Sequence, residues 1–348
     1  NTMQPTLRFP EFKREWSYNL FNNIVTNRSK KFNPSTEEAT NDIELDSIEQ
    51  NTGRLLNTYM SNQFTSQKNI FNKNSVLYSK LRPYLNKYYY AQIEGVCSSE
   101  IWVLNTLNKD VLSNKFLYYF IQTNRFSSVA NKSAGSKMPR ADWGLVENIR
   151  LYRGPIEEQE KIGEFFIKLD QQIELEEKKL ELLKQQKKGY MQKLFSQELR
   201  FKDENGNEYP NWQTVKIGSI LKERKERSGD GEMLSVTINH GIVKFDDIDR
   251  KDNSSKDKSN YKKVYKNDIA YNSMRMWQGA SGKAEFDGIV SPAYTVVTPI
   301  ENINSNFIAY YFKTHNMIHK FRINSQGLTS DTWNLKYKQL KDIKISIC

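Results

Sequence analysis

The sequence predicts a mixed α/β protein, α+β in arrangement, with two tandem pseudo-repeated domains separated by a long coiled-coil helix. Three observations predict it: an internal duplication across most of the chain, a helical segment near its middle, and short alternating apolar runs on both sides. The expected bounds are 1–154 for the first domain, 155–197 for the helix and 198–348 for the second domain. The length agrees, because at about 150 residues per domain, 348 residues make two domains with a remainder.

The duplication comes first, since a missed repeat misreads a whole fold. Trp16 to Val25 (WSYNLFNNIV) aligns with Trp212 to Leu221 (WQTVKIGSIL) at an offset of 196. Phe71 to Val103 then aligns without a gap onto Val264 to Val296 at an offset of 193. Within that block KNSVLYSKLR faces KNDIAYNSMR, and GVCSSEIWV faces GIVSPAYTV. Phe116 to Asn124 (FLYYFIQTN) matches Phe307 to His315 (FIAYYFKTH) at an offset of 191. Offsets that drift so little along the chain mark a tandem duplication.

Each copy opens with a Trp before an apolar stretch that suits helix or strand. Runs such as SVLYSKL and EIWVL alternate with period two and read as strands. FLYYFIQT and its twin read as amphipathic helices with Phe116, Tyr119 and Phe120 on one face, and their aromatics belong to the core. Each copy ends in a polar, Gly-bearing loop before a final strand: SAGSKMPRADW, then INSQGLTSDTW. Loops at matched positions of two basic domains are where recognition is expected.

Between the copies, Pro155 to Gln197 has no internal proline and is rich in Leu, Glu, Lys, Gln and Ile. It reads as helix, with proline tolerated at its start, and at ~1.5 Å per residue it would run about 60 Å. Ile162, Phe166, Leu169, Ile173, Leu180, Leu183, Tyr190 and Leu194 recur at alternating steps of four and three, a coiled-coil seam that Glu176 and Lys187 interrupt. An interdomain linker is the plainer reading, but so many apolar positions on one stripe call for a partner helix.

Charge narrows the partner. The chain carries 52 Lys and Arg against 41 Asp and Glu, a net +11. Residues 1–155 carry +7, residues 156–197 carry −1 and residues 198–348 carry +5, so two basic blocks flank a neutral segment. That balance fits a polyanion. No apolar run approaches the ~20 residues of a membrane span, and no secretory signal opens the chain, so a cytoplasmic protein without a membrane partner is expected. Cys97 and Cys348 are the only cysteines, too few for a disulfide framework or a cysteine zinc site. His240, His315 and His319 form no metal pattern, and GASGKA lacks the first glycine and the hydroxyl of a phosphate-binding loop. Neither catalytic residues nor a metal site is therefore expected; a binder is favoured over an enzyme.

PIEEQEKIGEFFIKLDQQIE (Pro155 to Glu174) and KLELLKQQKKGYMQKLFSQELRF (Lys179 to Phe201) resemble the central conserved region of type I restriction-modification specificity subunits. The Pro-x-x-Glu-Gln-x-x-Ile opening is the specific part, and the duplication extends the resemblance over nearly the whole chain. The resemblance implies that each copy is a target recognition domain and that two long helices separate the domains and dock methyltransferase subunits. It departs in one respect: Cys348 falls a few residues before a second Pro-x-x-Glu-Gln helix would begin, so the C-terminal conserved helix is expected to be lacking.

The leading expectation is a non-catalytic reader of double-stranded DNA, each copy recognising half of a bipartite target. Lys80, Arg82, Tyr84, Ser136, Lys137 and Arg140 are the first copy's candidates; Ser273, Arg275, Trp277, Gln278, Thr329 and Ser330 are the second's. Arg82 and Arg275 share a repeat position, and Arg pairs bidentately with guanine, although a salt bridge within the fold competes for each. The family implies methyltransferase and restriction (translocase and endonuclease) subunits as partners. S-adenosylmethionine, ATP and Mg would be bound by those partners, none by this chain. The lone seam adds a homodimer through the central helix. The rival is a protein-binding scaffold with duplicated domains; a nuclease or methyltransferase with divergent motifs ranks below both.

Overall fold

A computed structural model describes residues 4–132, 137–248 and 257–348. The chain divides into two compact units, 1–178 and 179–348, and the division falls inside the central helix.

In the first unit, β1 (Ser17–Leu20) leads into a one-turn helix α1 (Phe21–Ile24), which settles the stretch after Trp16 as strand then helix. There follow β2 (Val25–Thr26), β3 (Lys31–Phe32), β4 (Asn41–Ile43), β5 (Tyr59–Met60), β6 (Lys68–Phe71) and β7 (Val76–Ser79). Then come β8 (Tyr88–Tyr90), β9 (Gly95–Ser98), β10 (Ile101–Thr106), α2 (Asn114–Phe120), α3 (Asn124–Ala130), α4 (Trp143–Val146) and β11 (Arg150–Arg153). The central sheet runs β2-β10-β7-β8, a second runs β3-β6-β9-β4-β5, and β1 pairs with β11.

Period-two alternation divides the core. From β7 and β10, Val76, Tyr78, Trp102 and Leu104 face a cluster that includes Phe21, Phe116, Leu117 and Phe126, whereas Leu77, Ile101 and Val103 face Ile43, Phe71 and Cys97. Helices thus cover one side of the sheet and the second sheet the other. Phe116, Leu117, Tyr118 and Phe120 are all buried, and within that run of five only Tyr119 is partly open, so this part of α2 is enclosed more fully than a one-faced amphipathic helix.

The second unit repeats the plan with β12 (Gln213–Lys216), α6 (Ile217–Ile220), β13 (Leu221–Glu223), β14 (Leu234–Thr237), β15 (Gly241–Lys244) and β16 (Lys262–Val264). It continues with β17 (Ile269–Asn272), β18 (Ser281–Lys283), β19 (Gly288–Val290) and β20 (Tyr294–Pro299). Helices α7 (Ser305–Phe312), α8 (His315–Asn324) and α9 (Tyr337–Leu340) precede β21 (Lys344–Ile347). Its central sheet is β13-β20-β17-β18, with β12 paired to β21. Even the register repeats: Ile101 opposes Ser79, and Tyr294, 193 residues on, opposes Asn272. The copies part at the second sheet, where β14-β15 and β16-β19 are separate pairs in place of five strands.

The long helix, α5, spans Ile156–Phe195. Its first turns explain the Pro-x-x-Glu-Gln opening. Glu158, fully buried, accepts from Arg8 Nε at 2.6 Å, Arg8 Nη2 at 2.7 Å and Trp16 Nε1 at 3.1 Å. Gln159, also buried, accepts from the Ser113 N–H at 3.1 Å and donates to the carbonyls of Val111 at 3.0 Å and Gly154 at 2.9 Å. Gly154 has no room for a side chain, since a Cβ there would lie 2.2 Å from Glu158 Oε2 and 2.7 Å from Trp16 Nε1. The motif is a clamp that fixes the direction in which the helix leaves the domain.

Candidate nucleic-acid interface

The loop after the second core strand and the loop before the last strand meet in both copies. In the first, the Ala141 N–H donates to the Lys80 carbonyl at 2.8 Å; in the second, the Leu335 N–H donates to the Ser273 carbonyl at 2.8 Å. These two bonds join equivalent residues. The duplication has preserved a backbone frame, while the side chains it carries differ.

In the first copy the frame gathers Lys80, Arg82, Tyr84, Lys137 and Arg140. Arg82 is exposed in left-handed backbone (φ 51°), an uncommon state for a non-Gly residue, and its N–H is held by the Pro139 carbonyl at 2.7 Å. The following Pro83–Leu85 turn leaves Tyr84 56% exposed. Neither Lys80, Arg82 nor Lys137 forms an ion pair among the described residues. Arg140 is different: its guanidinium bonds Glu100 at 2.9 Å, so the salt-bridge reading holds for it, and the Glu100 carboxylate raises its pKa. Ser136 lies outside the described residues.

In the second copy Ser273 is a correction. It is buried, with its hydroxyl 2.8 Å from that of Thr295, so it supports the frame and faces the core. Arg275 is half-buried, with φ −125°; it shares a repeat position with Arg82 but not a backbone conformation. Trp277 donates from Nε1 to the Met274 carbonyl at 3.1 Å, and its ring meets Trp333 edge-on at 5.2 Å. Gln278, Thr329 and Ser330 are exposed, and Thr332 ties back the turn at Thr329 through a 2.9 Å bond to its carbonyl. Two residues belong here that sequence reasoning missed: Trp333, and Arg322 from α8, whose guanidinium lies over the Trp333 ring at 5.5 Å. The Trp in the quoted INSQGLTSDTW loop was the available signal for the first. Nothing local signals Arg322, which α8 delivers.

The seam of α5 is split. Ile162 packs on the first unit's core and Phe166 lies 5.1 Å from the Tyr119 ring, so both are engaged within the chain and the seam available to others starts after them. Leu169, Ile173, Leu180, Leu183 and Tyr190 are 38–54% exposed, while Leu194 is half-buried. Lys187, one of the interruptions, sits 5.2 Å from the Tyr310 ring. Among the described residues no helix is long and apolar enough to cross a membrane, and no three His, Cys, Asp or Glu side chains cluster to hold a metal.

Residues 20–185 match the Type I restriction modification DNA specificity domain family. That stretch takes in most of the first unit and the larger part of α5. It is 28% identical over 156 residues to the Type I restriction enzyme EcoDI specificity subunit of Escherichia coli, covering 44% of this chain and 34% of that one. It is 29% identical over 133 residues to the MjaVIII specificity subunit of Methanocaldococcus jannaschii, covering 37% of this chain and 31% of the relative. The aligned stretches thus span about a third of these curated relatives' length. Among solved structures, the type I S subunit from M. genitalium aligns with a TM-score of 0.55 at 16% identity, over 99% of this chain and 87% of that one. The HsdS subunit from Thermoanaerobacter tengcongensis aligns with a TM-score of 0.51 at 15% identity, over 98% and 86%. At these identities the structural likeness establishes the shared fold, the duplicated one described above.

Proposed function

We propose that this chain is a specificity subunit that reads double-stranded DNA without catalysis of its own, each copy contacting one half of a split target through its paired loops. The observation that carries the reading is the frame bond repeated in both copies, Ala141 to Lys80 and Leu335 to Ser273, beneath loops whose exposed side chains differ. Phosphate contacts from Lys80 and Lys137 supply salt-dependent affinity, while Arg82, Arg275 and Gln278 read base edges. Methyltransferase subunits dock on the exposed part of α5, and the restriction subunits join that complex. S-adenosylmethionine, ATP and Mg are the business of those partners, and the setting is the cytoplasm.

Selection from a duplex library at two salt concentrations tests this directly. A bipartite consensus whose binding falls steeply with salt is expected. Exchanging residues 1–154 for a relative's domain should then change one half of the consensus alone. The scaffold reading draws on the open seam of α5; duplex binding without sequence preference, together with capture of a partner helix on that seam, would favour it instead.

A further inference from the structure

The two copies arm their paired loops unequally. In the first copy, residues 79–86 and 133–143 carry four cations, Lys80, Arg82, Lys137 and Arg140, against the one carboxylate of Asp142. In the second, residues 272–279 and 323–335 carry Arg275 against Asp331, and no lysine at all. Affinity for a duplex follows the number of phosphates neutralised, so a second copy that holds its own half-site needs cations from elsewhere. A groove of about 660 Å³ between the last turns of α5 and the start of α8 supplies them. Lys184, Lys187, Lys188, Lys313 and His315 line it, and no Asp or Glu does among the described residues. Lys184 and Lys188 are exposed and form no ion pair among those residues. Thr314 and His315, the cap and first residue of α8, stand at the end of a helix where the backbone dipole favours an anion. Lys313 is half-buried and donates to the carbonyls of Ile238 at 2.8 Å and Gly279 at 2.6 Å, two of the three bonds an ammonium can give. The fold does not require that cation: its counterpart in the first copy is Gln122, which donates to the Tyr118 carbonyl of α2 at 3.0 Å.

We propose that this groove is the phosphate-binding site of the second copy, in which Lys184, Lys188 and Lys313 hold the backbone of the duplex whose bases the neighbouring loops read. Continuity with those loops carries the inference as much as charge does. Gly279, which accepts from Lys313, directly follows Gln278, and a Cβ added at Gly279 would lie 3.2 Å from Ile318 Cδ1 of α8. One turn beyond Ile318 on the same helix is Arg322, over the Trp333 ring. The groove and the reading loops therefore share one wall, built from α8 and the turn at Met276–Gln278. The proposal rests on the DNA reading of the loops and adds to it a division of labour: the first copy binds phosphate with its loops, the second with helices.

The test measures binding of the full chain to a labelled duplex carrying its selected consensus, from 50 to 200 mM salt. Over that fourfold rise each phosphate contact loses about 3.5-fold in affinity, so the advantage of the parent over Lys184→Gln with Lys188→Gln should shrink about tenfold. The double variant alters two exposed side chains and should keep both its Tm and its base preferences. Lys313→Gln, the residue of the first copy, should remove about one further contact. In the parent, the duplex should also protect Lys184 and Lys188 from an amine-acetylating reagent. A double variant with the salt dependence of the parent and no protection of these lysines would overturn the proposal and leave the groove to an acidic protein segment. An equal effect from Lys341→Gln with Lys344→Gln, two exposed lysines outside the groove, would overturn it too, since net charge alone would then be at work. A parent chain that selects no consensus would sink the DNA reading itself; a consensus retained with an unchanged salt slope would sink the groove alone.

Discussion

Glu158 and Arg200 illustrate how much one charge depends on its partner. Glu158 is fully buried and its charge is met by Arg8, itself only 17% exposed, and by the Trp16 N–H. Glu158→Gln keeps the shape but leaves Arg8 without an anion, and should cost about 1.5–3 kcal/mol of folding stability in urea titration. Arg200→Ala, which breaks solvent-exposed bonds to neutral acceptors, should cost under about 0.5 kcal/mol. At the interface, Arg275→Ala should relax one base position at a cost of roughly 1–3 kcal/mol, whereas Lys137→Ala should weaken all duplexes alike and flatten the salt slope. Competitive binding to a panel of single-base variants separates them; a uniform loss from Arg275→Ala would reverse the assignment. Composition pointed to Ser273 as readily as to Arg275. Only the fold distinguishes them, because a step of two residues at the end of β17 takes the chain from core to surface.

Among the elements, α5 is the one whose existence was plain from its residues and whose surroundings were not. Its two glycines make the point. Gly163 crosses α2 so closely that an added Cβ would lie 2.5 Å from Lys115 Cβ, whereas Gly189 has nothing within 4 Å. Gly→Ala in an open helix stabilises by about 0.5–1 kcal/mol, and Gly189→Ala should do so. Gly163→Ala should destabilise, because either α2 or α5 must move to admit the methyl group. Thermal melts of the two variants should shift in opposite directions. Sequence alone ranks these positions as equal.

For the molecule as a whole, the open stretch of the seam sets association. Leu169, Ile173, Leu180 and Leu183 are 38–54% exposed, and fully burying one such side chain is worth about 1.5–3 kcal/mol. We propose a second copy, antiparallel on α5, as the cover for that stretch. The purified chain should sediment as a dimer at micromolar concentration, and Leu180→Glu with Leu183→Glu should make it a monomer with both units folded. Stability should also carry a signature of Lys313, whose pKa burial lowers to about 8 from 10.5. Between those values the unfolded chain holds a proton that the folded chain has released. Stability from this group therefore rises with pH across that window and is least below pH 8. Lys313→Gln, which installs the residue found at the equivalent Gln122, should remove that rise when the two pH–stability curves are subtracted.

The sequence by itself determined the duplication, the long helix and the core strands, because each leaves a one-dimensional trace: a constant offset, steps of four and three, or alternation. Val76 to Ser79 alternates toward two different cores just as SVLYSKL alternates in the chain. Tertiary structure alone decided which loops meet, which candidates face outward and what the Pro-x-x-Glu-Gln motif holds. The bond from Ala141 to Lys80 joins residues 61 apart in the chain, and Glu158 reaches back 150 residues to Arg8. Such contacts leave no periodic mark, since closure of the sheet and the crossing of α2 by α5 bring the partners together. The same holds for the second sheet, which the first copy completes with five strands and the second leaves as two pairs. Its β6-β9 pair still recurs in register as β16-β19, Ile70 opposite Val96 and Lys263 opposite Ile289, so the copies differ in the strands set beside that pair, which no repeat offset marks.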